Sequence, residues 1–164
     1  MSLNHRKIPE QVSDPYYEGY KYHDPTVCSS CGAVFHKGHW QWISEEELKL
    51  LKREKDIEED VCPACKRIRD RYPAGYLLLS GQFLKAHKEE IINTVRNEAE
   101  KETSRRPIVR VMWIDDREEE VEIATTSDHL AKHLGNIVKK AFKGELVVKF
   151  SEGEKLVRVY WKRD

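Results

Sequence analysis

Two Cys-x-x-Cys pairs, Cys28-Ser29-Ser30-Cys31 and Cys62-Pro63-Ala64-Cys65, contain every cysteine of the chain. Each spacing lets a tight turn aim both sulfurs at one cation while backbone N–H groups point toward them, and two such turns complete a tetrahedron. The pattern predicts one metal ion held by Cys28, Cys31, Cys62 and Cys65, with zinc favoured and iron less so. Four thiolates leave no position for a reacting water, so the site reads as structural and coupled to folding. The stretch 32–61 is longer than the usual ribbon spacing, and a helix over 44–55 absorbs the excess. His36 and His39 are close enough in sequence to substitute for a ligand, but four thiolates make them neighbours of the site instead.

Other chemistries use the same spacing. Two disulfides require an oxidising compartment. The chain shows neither a signal-peptide segment nor an apolar run long enough to cross a membrane, the longest being Tyr76-Leu77-Leu78-Leu79. A cytoplasmic location with reduced thiols is therefore expected. A redox dithiol at Cys62 and Cys65 would want a βαβ context that the pattern lacks. The two cysteine loops are also similar to those of rubredoxins, which keeps a rubredoxin-like iron redox protein open; Lys66 stands where that family has a second glycine.

Lysine plus arginine equals aspartate plus glutamate, 29 each, so no strongly basic or acidic balance points to a partner. Charged residues make up 35% of the chain against 39% hydrophobic, which leaves little core material and favours a metal staple.

Along the chain, 1–24 reads as an N-terminal arm with Tyr16, Tyr17, Tyr20 and Tyr22, and 25–80 as a zinc-ribbon-like domain. Within it, 33–43 is strand-like, and Ser44 caps a helix with Glu45, Glu46 and Glu47 in its first turn. Phe83, Leu84, His87, Ile91, Val95 and Ala99 recur at helical spacing and predict a helix over 82–102. Pro107 ends it, so 81–104 reads as a linking helix. The remainder, 105–164, has the order β-β-α-β-β: strands over 108–114 and 121–125, a helix capped by Thr126 or Ser127 and stopped at Gly144, then strands over 145–151 and 155–161. The fold class is α+β, with a small helix-on-sheet layer at the C-terminus.

The basic run after Cys65 is the best candidate partner surface. In an extended chain Arg67, Arg69 and Arg71 share one face, where guanidinium forks match phosphate oxygens. Trp40 and Trp42 would share a strand face, either to stack on unpaired bases or to fill the small core at the metal. Structured RNA or a ribosomal surface fits such a set; pairing with a second copy through the 108–161 sheet or the long helix is the alternative. No Walker loop, Gly-x-Ser-x-Gly elbow or His-Glu-x-x-His pair is present, so neither catalysis nor a small-molecule substrate is expected.

The second cysteine pair, the run Arg67-Ile68-Arg69-Asp70-Arg71-Tyr72-Pro73-Ala74-Gly75-Tyr76-Leu77, Ser80-Gly81, the long helix and Arg105-Arg106-Pro107 together resemble a known group. It comprises small bacterial proteins related to the zinc-ribbon part of the nonsense-mediated-decay-type adaptor for export of the large ribosomal subunit. The resemblance covers roughly 15–162 and implies zinc binding and contact with RNA or ribosomes. The adaptor's ribbon region carries more Cys-x-x-Cys pairs than the two found here, and its later domains have no counterpart at this length.

Overall fold

The computed structural model describes residue 16, residues 22–151, residue 153 and residues 156–164. Most of the expected N-terminal arm, including Tyr17 and Tyr20, lies outside the described residues, as do Glu152, Glu154 and Lys155 beside the last predicted turn.

The chain is α+β, with two sheets and four helices among the described residues. The first sheet is built from β1 (Thr26–Cys28), β2 (Val34–His36), β3 (His39–Gln41) and β4 (Glu58–Asp60), in the order β3-β2-β1-β4. The strand-like stretch 33–43 is in fact a hairpin. His36 pairs with His39, and the two loop residues Lys37 and Gly38 take φ of 53° and 86°, the left-handed pair that a tight hairpin turn needs. Helix α1 (Glu45–Glu54) starts as its sequence predicts, with Ser44 Oγ accepting from the Glu47 N–H at 3.2 Å. It fills the connection from β3 to β4, and β4 then pairs parallel with β1.

Helix α2 (Pro63–Asp70) follows immediately, with Cys62 as its N-cap and proline in its first turn, where the missing N–H costs nothing. The expectation of an extended Arg67-Arg69-Arg71 row is therefore wrong. In a helix, residues two apart point in different directions.

The second sheet comprises β5 (Gly75–Ser80), β6 (Val111–Asp116), β7 (Glu120–Thr125), β8 (Glu145–Ser151) and β9 (Leu156–Lys162), in the order β6-β7-β5-β9-β8. Helices α3 (Gln82–Arg105) and α4 (Asp128–Phe142) cover one face. The β-β-α-β-β order is present as β6-β7-α4-β8-β9, but it is only part of this layer. Strand β5, assigned by sequence to the metal-binding domain, is the central strand, antiparallel to β7 and parallel to β9. Helix α3 is not a linker. Its Leu84, Ile91, Val95 and Ala99 sit in one buried cluster with Leu77, Leu79, Val121, Ile123, Leu134, Val157, Val159 and Trp161. The stripe that predicted the helix also binds it to the sheet, because apolar area is stabilising only when covered.

Helix α4 approaches closely enough that a Cβ at Gly135 would stand 2.7 Å from Val159 Cγ1. Ser127 caps the helix, its Oγ accepting from the Leu130 N–H at 3.3 Å. Strand β6 begins later than its sequence suggests, since 106–109 makes a turn closed by the Val109 N–H to the Arg106 carbonyl at 3.0 Å.

This packing separates a core helix from a linker by experiment. Ile91→Ala should cost roughly 2–5 kcal/mol in denaturant unfolding, because its fully buried side chain leaves a cavity. Leu50→Ala on α1, 53% exposed, should stay within about 0.5 kcal/mol.

Candidate metal centre

The four cysteines come together from two local structures. Cys28 ends β1, and the turn carrying Cys31 is closed by the Gly32 N–H to the Cys28 carbonyl at 2.9 Å and the Cys28 N–H to the Ala33 carbonyl at 2.7 Å. Cys62 and Cys65 occupy the N-cap and first turn of α2, not a second hairpin turn. Peptide N–H groups at a helix start favour negative charge, so this placement suits thiolates. The parallel pairing of Cys28 with Asp60 brings the two halves into register.

All four Sγ atoms lie within 4.8 Å of one another, with Cys31 and Cys62 3.9 Å apart. A tetrahedron with metal–sulfur bonds of about 2.3 Å has edges of about 3.8 Å, so the donor set fits a metal ion. Backbone donors already point at the sulfurs: the Cys62 N–H to Cys28 Sγ at 3.3 Å and the Cys65 N–H to Cys62 Sγ at 3.4 Å. Cys28, Cys62 and Cys65 are buried. His36 instead contacts Asp24 at 2.7 Å, and His39 is exposed.

Arg110 completes the site, and the sequence reading missed it. From the segment between α3 and β6 its guanidinium donates to Cys31 Sγ at 3.1 Å, Cys62 Sγ at 3.3 Å and Cys65 Sγ at 3.4 Å. The side chain is held by Nε donating to the Pro107 carbonyl at 2.6 Å. Its backbone is clamped by Thr126, whose Oγ1 accepts from the Arg110 N–H at 2.8 Å and whose N–H donates to the Arg110 carbonyl at 2.9 Å. Burial works against the Arg110 charge, but the hydrogen bond to Cys65 and the field of the sulfurs outweigh it and raise its pKa. The hydrogen bond from Cys62 is the largest of the effects that pull the Cys31 thiol down to about 4, with the Ala33 N–H and Arg110 helping. No local motif announces Arg110, because its partners are far away in sequence. Ile108 packs against both hydrophobic clusters, and Trp42 Nε1 donates to the Thr103 carbonyl at 2.9 Å, so the two sheets meet around this site.

The expected RNA-facing residues do not converge. Arg67 is buried and donates to the Tyr72 carbonyl at 3.1 Å, tying α2 to the turn that follows it. Arg69 grips Asp70 at 2.9 Å. Arg71 is exposed and lies over the Trp113 ring at 4.4 Å. Trp40 is in the core beside the cysteines, packed on Tyr22 and Phe35, whereas Trp42 is 42% exposed. Glu98, Glu102 and His133 form a second group of metal-ligand type, but ion pairs with one another, Lys101 and Arg105 account for it. Among the described residues no helix is long and apolar enough to cross a membrane. Comparison with known proteins finds no matching family model, no matching curated protein and no matching solved structure.

Arg110→Ala removes the charged donor shared by three sulfurs and should destabilise the metal-loaded protein by roughly 1.5–3 kcal/mol in denaturant unfolding. Arg110→Lys should recover part of that loss. An alanine variant within about 0.5 kcal/mol of the parent would mean that the guanidinium adds nothing to the site.

Proposed function

We propose that this chain is a non-enzymatic module in which a structural zinc, held by Cys28, Cys31, Cys62 and Cys65, fixes a surface that contacts RNA. The observation that carries the proposal is the closed donor set. Four sulfurs stand at tetrahedral spacing, and Arg110 covers three of them, so no open position is left for a substrate. Thiolate-only sites suit zinc and tetrathiolate iron alike. Zinc is preferred because the second pair opens a helix and is followed by Lys66 instead of the glycine of a rubredoxin loop. When bound, the ion would supply cross-linking and charge, with no chemistry of its own.

The RNA part rests on the resemblance to the small bacterial relatives of the ribosomal export adaptor and on the partly exposed Tyr76, Trp113 and Arg158 of the second sheet with Arg71 over them. RNA recovered with the full-length protein at low salt should be enriched in ribosomal or other structured species. A protein that retains no RNA at low salt would contradict this part of the proposal.

A second reading, association with another copy, is favoured by one feature. Strand β8 is a sheet edge with Val147, Val148 and Phe150 exposed at 48%, 40% and 66%. Exposed apolar edges are templates for further pairing. Antiparallel pairing of β8 with its own copy about Val147 would set Glu145 opposite Lys149. Phe150→Glu should then abolish dimers in sedimentation at several concentrations; a parent protein that is monomeric throughout removes this reading.

The metal proposal has its own test. The purified chain should carry about one zinc ion and no visible absorption, since ferric tetrathiolate is coloured. A strong chelator should abolish amide protection in β1, β2 and α2, while β5, β7 and β9 keep theirs, because that sheet has its own core. Unchanged protection throughout would contradict a structural role for the metal.

A further inference from the structure

Residues along one face of the second sheet are alternately assigned by the register, and the face away from α3 and α4 carries a pattern that the metal site does not use. On β5 the residues facing the helices are fully covered, while Tyr76, Leu78 and Ser80 keep part of their surface. The pairings Trp113 with Ala124, Ala124 with Tyr76, Tyr76 with Arg158, and Arg158 with Lys149 make one row across all five strands. At about 4.8 Å per strand this row is on the order of 19 Å long. Tyr160 lies in the next row, between Leu78 and Val147.

Each of the three rings in these rows has a cation beside it. Arg71 lies over Trp113 at 4.4 Å, Arg158 over Tyr76 at 5.9 Å and Lys149 over Tyr160 at 5.4 Å. Among the described residues none of these three cations is in an ion pair. The nearby carboxylates are already engaged: Arg117 binds Asp115 at 2.8 Å and Glu122 at 3.0 Å, and Glu122 also accepts from Trp113 Nε1 at 3.1 Å. Those contacts orient the indole and offset part of the charge of the acids. A depression of about 650 Å³ opens between Arg71, Tyr76, Trp113 and this ion cluster.

We propose that this face is a stacking surface for single-stranded RNA, a deepening of the RNA reading above. Unpaired bases stack on aromatic rings, and a sheet can present its rings to two or three successive bases. The cations alongside, none of them held by a carboxylate, would take the phosphates, with Arg158 giving up its hydrogen bond to Ser151 Oγ at 3.1 Å. A protein partner would call for a continuous apolar patch, whereas Leu78 and Val147 are the aliphatic residues these rows offer beside the rings and charges.

The test is fluorescence anisotropy of labelled oligo(U) 10-mers against the full-length, metal-loaded protein across a salt series. The parent should bind, with log affinity falling against log salt at a slope of about −2, since three cations each contribute about 0.7 on a single strand. Tyr76→Ala should weaken binding about ten-fold through the lost stack. Lys149→Glu, at an exposed edge position where folding is safe, should weaken binding and flatten the slope. Circular dichroism and metal content report that each variant is folded. Variants that bind the 10-mer as tightly as the parent overturn this surface while leaving the RNA reading intact. A parent that binds structured RNA but not the 10-mer overturns the single-stranded preference, and a parent that binds neither removes both proposals.

Discussion

The meeting of four cysteine sulfurs with one guanidinium is the contact on which the arrangement of this chain depends. Four thiolates around a dication leave roughly two negative charges in a site where three of the cysteines are buried. Unbalanced charge is costly there. Two backbone N–H groups and Arg110 supply the compensation. Because Arg110 immediately precedes β6 and is clamped by Thr126 just past the end of β7, the same contact that balances the charge also joins the two sheets. Under the proposed zinc occupancy, folding of the first sheet and its docking on the second become one event.

The second sheet has two faces with different duties. One is filled by α3 and α4, which supply half of the buried residues of the hydrophobic core. The other holds rings and cations. A neutral chain can still present cations without carboxylate partners, as Arg71, Arg158 and Lys149 are here, while Asp115 and Glu122 on the same face are engaged by Arg117. The zero net charge that argues against a nucleic-acid partner is an average over the whole chain, and recognition acts within about a Debye length.

What could be read from the sequence was local. The cysteine pairs, the Ser44 and Ser127 caps, the helix between Ser127 and Gly144 and the bounds of β8 each depend on residues a few positions apart, and the structure shows them. What was missed is non-local. The Tyr76–Leu79 run marks a strand but does not say which sheet it joins, so β5 was assigned to the metal-binding part. Likewise, Pro107 marks a helix end and was mistaken for a domain boundary, although the chain turns there to aim Arg110 at the sulfurs. The helical state of the arginine run was available in principle. A capping cysteine followed at once by proline is a helix start, and Cys62-Pro63 fits it.

The proposed zinc site is closed and all-sulfur. X-ray absorption at the zinc edge of the purified protein measures it directly. Four sulfur scatterers at about 2.3 Å and no lighter ligand are expected. Nitrogen or oxygen scatterers at about 2.0–2.1 Å, or fewer than four sulfurs, would show an open or mixed site and contradict a purely structural staple.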